Sequence, residues 1–154
     1  MGSSADHPQV IAPPPLIFAL ELAAGGLLQW LYPWPLAPWR LTWEGVGLIA
    51  LGILNSLWAV LIMRRAGTNL NPERPATALV QSGPFAFSRN PIYLSMALSS
   101  GGVALWANSV WLVLSLAATI AVITYGVIIP EERYLTEKFG QTYVSYRARV
   151  RRWL

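Results

Sequence analysis

The sequence contains no cysteine, and its single histidine and single aspartate, His7 and Asp6, both lie close to the start of the chain. These absences exclude a catalytic thiolate, a zinc centre built on Cys and His, and a Ser-His-Asp triad. We therefore expect no bound metal. Charge is also scarce, because only 12% of the residues are Asp, Glu, Lys or Arg. Acid-base chemistry must use one of the glutamates, a tyrosine or the substrate itself.

Long apolar stretches dominate the rest of the chain. Hydrophobic residues make up 55% of the sequence and tryptophan occurs 8 times, which is unusual for a soluble domain. Residues 15–63 contain two predicted spans, 15–32 and 43–63. Each is long enough to cross a bilayer as a helix. Residues 91–129 predict a helical hairpin that turns at 106–109 and ends before Pro130. We expect a single all-α integral membrane domain over residues 1–154, with about four transmembrane helices.

Three further segments flank or join these predicted helices. Residues 1–14 are polar and rich in proline, which predicts a flexible tail. Residues 64–90 form an unusually long connection. Residues 131–154 repeat apolar side chains at helical spacing, which predicts an amphipathic helix on the cytoplasmic surface, with a break at Gly140.

The basic residues indicate an orientation in the membrane. Of the 11 Lys and Arg, only Arg40 lies outside the segments 64–89 and 133–152. The positive-inside rule then places both segments and both termini in the cytoplasm, in a multi-pass membrane that we expect to be the inner membrane of a prokaryote. The net charge of +4 favours contact with anionic membrane lipids. No nucleic-acid partner is expected, because the charge flanks the spans without forming a separate basic domain.

Glu21, in the first predicted span, has two open interpretations. It is a candidate functional group, because an unpaired charge in hydrocarbon is costly. Alternatively, it is neutral or paired with an arginine of the 64–90 loop. Asn55 and Ser56 in the second span are expected to make hydrogen bonds between helices.

The 64–90 loop carries apolar residues and turn-forming glycine and proline, so we expect it to fold back as a lid over the cytoplasmic helix ends. It leads into Arg89, Asn90 and Pro91, and Pro91 suits the first position of a helix. A helix N-terminus next to Arg89 favours a carboxylate. Tyr93, further along the same helix, would point toward the same cavity. From spacing alone, it is equally open that this triplet only caps the helix.

Glu131 and Glu132 follow Pro130 at the end of the last predicted span. They either complement the positive end of a helix dipole or offer a carboxylate to a cationic or hydroxyl-bearing ligand. In the second case, they would face the same cytoplasmic rim as Arg89.

Two stretches carry a family resemblance: ALVQSGPFAFSRNPIYLS at residues 78–95 and EERYLTEKFGQTYVSYRARVRRW at residues 131–153. Together they resemble the C-terminal core of the isoprenylcysteine carboxyl methyltransferase and phospholipid methyltransferase family, over about residues 69–152. The resemblance implies an integral-membrane enzyme that uses S-adenosylmethionine to methylate a lipophilic substrate.

The resemblance also implies a cofactor site, in which the segment before the Arg-Asn-Pro triplet wraps the cofactor and Glu131 supplies an acid. Together with the cationic helix start, the expected cofactor-binding residues are Thr77, Ala78, Leu79, Val80, Phe85, Arg89, Asn90, Pro91, Tyr93 and Glu131. If the acceptor must lose a proton, Glu132 or Tyr93 is the candidate catalytic base.

The methyl acceptor is left open among an isoprenylcysteine-like compound, a lipid amine and a lipophilic thiol. Val127 stands where the isoprenylcysteine enzyme carries an arginine that binds its carboxylate substrate, which favours a neutral or cationic acceptor. Two other functions remain open: a small four-helix transporter that uses Glu21, and a membrane reductase that uses a nicotinamide cofactor.

Overall fold

The computed structural model describes residues 8–69 and 74–154, and these residues form helices and no strand. The helices are α1 (Pro14–Leu31), α2 (Thr42–Arg65), α3 (Pro91–Trp106), α4 (Val110–Ile123), α5 (Ile129–Phe139) and α6 (Gln141–Arg149). A short 3₁₀ helix, Gly83–Ala86, lies in the loop between α2 and α3. The prediction of an all-helical protein is confirmed for the described residues, whereas residues 70–73 of the predicted lid lie outside them.

Three helices in the described part of the chain are long and apolar enough to cross a membrane. They are α1, α2 and the continuous helix Val110–Phe139. α3 is apolar as well, but it has only 16 residues. It therefore rises about 24 Å, less than the ~30 Å of a bilayer core. A complete crossing by α3, and with it the count of four, stays a prediction.

The second arm of the predicted hairpin does not end at Pro130, so the predicted boundary at residues 129–131 is wrong. α4 passes through a π-helical turn, Thr124–Ile128, directly into α5. Pro130 has no N–H to donate to the carbonyl of Gly126, four residues earlier. That carbonyl instead accepts a hydrogen bond from the N–H of Ile11 at 3.1 Å. Because the wider turn accommodates the proline and Ile11 satisfies the freed carbonyl, the helix continues.

The segment before α1 is held against the bundle where the sequence indicated a flexible tail. Val10 packs against the buried core. Ile11 sits so close to Gly126 that a Cβ atom at that position would collide with the Ile11 side chain. Residues 8–13 are therefore part of the folded protein, and residues 1–7 of the expected tail lie outside the described residues.

The most extensive contact between helices is the one between α2 and α3. Glycine permits it, since a Cβ atom added to Gly45 would lie 2.6 Å from the carbonyl oxygen of Gly102. Asn55 Nδ2 donates to the carbonyl oxygen of Pro91 at 3.0 Å and to Ser95 Oγ at 2.9 Å. The predicted interhelical hydrogen bonds are thus confirmed for Asn55, and they hold the first turn of α3.

α1 packs chiefly on α4 and makes far fewer contacts with α3. The core between these helices and the π-helical turn is apolar and consists of Phe18, Tyr93, Ala97, Ile123, Val127 and Ile128. Glu21 lies one turn beyond Phe18 and is also buried. Its carboxylate oxygens have no hydrogen-bond partner among the described residues, so the interpretation that pairs it with a loop arginine is not supported there.

The chain after α5 reverses at Gly140, whose φ of +52° favours glycine. The predicted break is therefore confirmed. Tyr143 and Tyr146 of α6 are only 2% and 3% exposed. The part of the tail's apolar face that these two tyrosines form thus packs on the protein itself, and contact of the tail with the membrane surface stays a prediction. Buried tyrosine hydroxyls need partners, and Tyr146 finds one in the carbonyl oxygen of Phe85 at 2.6 Å.

Candidate functional site

A cleft opens between the loop, the first turn of α3, α5 and α6. Its empty volume is about 850 Å³ when the open solvent at its mouth is included. Most of the residues predicted from the sequence line it: Ala78, Leu79, Val80, Phe85, Arg89, Asn90, Pro91, Tyr93 and Glu131. Thr77 and Glu132 do not line it.

Tyr93 and Glu131 form a hydrogen-bonded pair in the wall of the cleft. The Tyr93 hydroxyl donates to Glu131 Oε2 at 3.0 Å. Tyr93 is 9% exposed because its ring belongs to the apolar core. The π-helical turn just before α5 sets the rotation of that helix, and with it the direction in which Glu131 projects. This pair places a hydrogen-bonded phenol and carboxyl group in the wall of the cleft.

Glu132 points away from the cleft into a buried ion cluster. Its Oε1 lies 2.9 Å from Arg89 Nη1, and Arg152 binds both of its oxygens at 2.9 and 2.8 Å. The Glu132 side chain is 8% exposed. Both oxygens of Glu132 are bound by guanidinium groups and the residue does not line the cleft, which argues against the prediction of Glu132 as a catalytic base.

Arg89 lies between the ion cluster and the cleft. Its Nη1 contacts Glu132 and also donates to the Tyr143 hydroxyl at 3.5 Å. Its Nε–H is buried and has no partner within residues 8–69 and 74–154. The sequence suggested that Arg89 faces Glu131, whereas the structure pairs it with Glu132 and leaves Nε as an unused donor. A buried donor without a partner is costly, so it is a candidate contact for an anionic ligand group.

The Arg-Asn-Pro triplet is held by the end of the chain. The N–H of Arg89 donates to the carbonyl oxygen of Arg151 at 3.0 Å, and Asn90 Nδ2 donates to that of Arg152 at 3.0 Å. The side chain of Asn90 makes no capping hydrogen bond to α3. The triplet therefore does more than cap a helix, because it docks residues 151 and 152 beside the cleft. Pro91 occupies the first position of α3, as predicted.

Tyr143 and Tyr146 are cleft residues that sequence reasoning missed. Their rings meet edge to face with centroids 6.1 Å apart. Burial raises the pKa of the Tyr143 phenol, Glu132 raises it further, and Arg89 opposes the shift. Burial also raises the pKa of Tyr146. Both phenols are therefore neutral at physiological pH. One sequence feature could have identified them: both place a hydroxyl on an otherwise apolar helix face. A buried tyrosine needs a hydrogen-bond partner in the protein, so such a face is expected to pack on the protein.

Thr77 supports the loop from behind. Its hydroxyl donates to the carbonyl oxygen of Gly67 at 2.7 Å, and its N–H donates to Thr68 Oγ1 at 3.3 Å. The N–H of Ala76 donates to the Tyr134 hydroxyl at 3.1 Å, which ties the same loop to α5. Thr77 thus shapes the segment that presents Ala78, although it does not line the cleft itself.

Parts of the chain are similar to known proteins. A family model described as phospholipid methyltransferase matches residues 41–142, which include most of the lining residues. An uncharacterized protein of Haemophilus influenzae (strain ATCC 51907 / DSM 11121 / KW20 / Rd) is 40% identical over 63 residues, which are 41% of this chain and 100% of that protein. No solved structure matches the chain.

Proposed function

Because the chain belongs to the phospholipid methyltransferase family, we propose that it transfers a methyl group from S-adenosylmethionine to a lipophilic acceptor within a membrane. Membership of the family makes it a methyltransferase, and its long apolar helices are those of a membrane protein. The methyl donor, the acceptor and the orientation are the parts that we add.

The residues of the cleft suit a zwitterionic adenosyl cofactor. The free Nε–H of Arg89 would bind its carboxylate, and Glu131 would bind its ammonium group or a ribose hydroxyl. Phe85 and its apolar neighbours Leu79 and Val80 would cover the adenine. The observation that carries the proposal is this combination of an unsatisfied cationic donor and a buried acid in one largely apolar cleft.

When bound, the cofactor would supply a methyl group on a positively charged sulfonium. The acceptor would form its bond to the methyl carbon as the carbon–sulfur bond breaks and the neutral thioether leaves on the opposite side. The protein contributes mainly by positioning and by excluding water. If the acceptor must lose a proton, the Tyr93 hydroxyl oxygen accepts it while passing its own proton to Glu131 Oε2, since the two are already hydrogen-bonded. Glu132 is left to hold Arg89 and Arg152 in place.

We propose a neutral or cationic acceptor, such as a lipid amine or a lipophilic thiol, in preference to an isoprenylcysteine carboxylate. Val127 is fully buried in the apolar core. Residues 110–129 contain no Lys or Arg. An acceptor carboxylate near this helix would be buried without a counter-ion, which is strongly unfavourable.

We further propose that both termini are cytoplasmic, that the cofactor enters beneath the 64–90 lid and that the acceptor enters from the bilayer. The distribution of Lys and Arg supports this orientation. A reporter fused after Leu154 should read as cytoplasmic, and a cysteine replacing Asn108 should react with an impermeant thiol reagent from the outside. Labelling of that cysteine only from the inside would contradict the proposed orientation.

The donor is tested by equilibrium binding of labelled S-adenosylmethionine to the purified protein, with NADPH measured in parallel. Saturable binding of S-adenosylmethionine, and not of NADPH, is expected. Binding of NADPH alone would favour the membrane reductase and contradict the methyl donor that we propose.

A further inference from the structure

Glu21 is a buried carboxyl group for which the proposed reaction has no use. The residue is 5% exposed, and neither of its side-chain oxygens has a hydrogen-bond partner among the described residues. Neither α1, which carries it, nor the surrounding helices α3 and α4 contain any Lys or Arg. A carboxyl group without a partner inside a membrane protein is costly, and such groups mark binding sites or transport paths.

Glu21 lies on a seam between α1 and α3 that begins at the cleft. On α3, this seam is formed by Tyr93, Ala97 and Ser100, which share one face of the helix and are all buried. On α1, it is formed by Phe18 and Glu21, one turn apart. Phe18 belongs to the same core cluster as Tyr93 and Ala97, and Ser100 is the polar neighbour of Glu21, near it but outside hydrogen-bond geometry.

The seam is less tightly joined than the other contacts of these helices. α1 makes far more contacts with α4 than with α3, and α3 makes far more with α2. Beyond Tyr93, the α3 side of the seam carries the small residues Ala97 and Ser100, with Met96 packed beside them against the core cluster. The interface of α1 and α3 is also less extensive than the glycine-lined interface of α2 and α3.

The distance between the cleft and Glu21 is set by the geometry of α3. Ser100 follows Tyr93 by seven residues, a rise of about 10 Å along the helix. Tyr93 lines the cleft. A molecule with its reacting atom in the cleft and its chain along the seam would bring a group about 10 Å down that chain to Glu21 and Ser100.

We propose that Glu21 and Ser100 form a second binding site for the methyl acceptor, one that recognises a hydrogen-bond donor, a hydroxyl or a protonated amine, about 10 Å along the apolar chain from the methylated atom. The role of this site in acceptor binding rests on the proposed function, whereas its ability to bind a hydrogen-bond donor does not. It selects acceptors by the position of a polar group inside the membrane, because an acceptor without that group leaves the carboxyl unsatisfied.

The site is tested by reaction of the full-length protein in phosphatidylcholine vesicles with dicyclohexylcarbodiimide, which modifies carboxyl groups reachable from an apolar phase. Modification of Glu21 is measured by peptide mass spectrometry. 1-Dodecanol or dodecylamine should slow the reaction about tenfold, as expected for one hydrogen bond to a carboxyl, and dodecane should leave it unchanged. Protection by the alcohol, the amine or both identifies the donor. An unmodified Glu21, or equal protection by dodecane, would overturn the site.

Two serine variants separate the site from general packing. Ser100→Ala should keep Glu21 reactive and weaken the protection by dodecanol. Ser115→Ala is the matched control, because this hydroxyl faces Gly25, one turn further along α1, and protection should be unaffected. Equal behaviour of the two variants would contradict the assignment of Ser100. The affinity of Glu21→Gln for S-adenosylmethionine is measured as well, and it is expected to equal that of the unmodified protein. This measurement distinguishes a failure of the second site from a failure of the proposed function.

Discussion

The two faces of α3 treat their polar groups in opposite ways. Toward α2, the carbonyl of Pro91 and the hydroxyl of Ser95 are both bound by Asn55, and glycines bring the two backbones together. Toward α1, the packing is sparser, and the buried carboxyl group of Glu21 has no hydrogen-bond partner among residues 8–69 and 74–154. A satisfied polar group between helices stabilises their register, whereas an unsatisfied one costs stability and so points to a ligand.

The same contrast separates two adjacent residues of α5. Glu132 does not line the cleft and is bound by two guanidinium groups, whereas Glu131 lines the cleft and accepts a hydrogen bond from Tyr93, its one donor in the part of the chain that the structure describes. Consecutive helical residues point about 100° apart, so Glu132 faces the ion cluster and Glu131 faces the cleft. We therefore expect substitutions of saturated groups to change stability, and substitutions of unsaturated groups to change binding.

The largest effect on stability is expected for Glu132→Ala. Removing this carboxylate leaves Arg89 and Arg152 without their counter-ion, and breaking such a buried cluster costs about 3–5 kcal/mol in the free energy of unfolding. Because Arg152 is 36% exposed, the lower end of that range is expected. The measurement is denaturant unfolding in detergent, with the exposed Glu137→Ala as the control. Equal stability of the two variants would show that the cluster is not structural.

Glu131→Gln should change binding instead. The variant keeps the shape of the side chain but loses its charge, so affinity for S-adenosylmethionine should fall at least about tenfold, about 1.4 kcal/mol. Stability should remain close to that of the unmodified protein. Calorimetric titration measures the affinity, and an unchanged dissociation constant would remove Glu131 from the site.

Asn55→Leu tests the saturated face of α3. Hydrogen bonds between membrane helices contribute about 0.6–1.7 kcal/mol, so a destabilisation near 1 kcal/mol is expected. Ser56→Ala is the control, since Ser56 makes no side-chain hydrogen bond among the described residues. If the two variants unfold alike, Asn55 does not hold α3 in place.

Glu21→Leu tests the unsaturated face and should have the smallest effect on stability. Replacing an unsatisfied buried carboxyl by an apolar side chain should be neutral or stabilising by less than about 1 kcal/mol. Glu44→Leu at the exposed start of α2 is the control. A clear loss of stability in Glu21→Leu alone would reveal a structural partner and contradict the contrast between the two faces.

The helices were predictable from the sequence because apolar runs of bilayer length have few other solutions. Pro130 shows where this reasoning fails. A proline ends a helix only if its freed carbonyl finds no other donor, and here Ile11, more than a hundred residues away, provides one. No local pattern reports such a contact.

The candidate site was predictable to the extent that its residues are close in sequence. Apart from Thr77, the predicted loop residues and the start of α3 line the cleft, and Tyr93 donates a hydrogen bond to Glu131, while their roles stay predictions. The roles of Glu131 and Glu132 could not be assigned in advance, since they depend on where Arg152 docks. Tyr143 and Tyr146 were missed for the same reason, because an amphipathic pattern does not say whether protein or lipid covers it.

The docking of residues 151 and 152 on Arg89 and Asn90 has a consequence for the order of assembly. The two sides of this contact are about sixty residues apart in the chain, and α3, α4, α5 and α6 are synthesised between them. During translation, the membrane helices can therefore insert and pair before the wall of the cleft exists. On the proposed function, the cofactor site is complete only when residues 151 and 152 have been made and have folded back onto the helices.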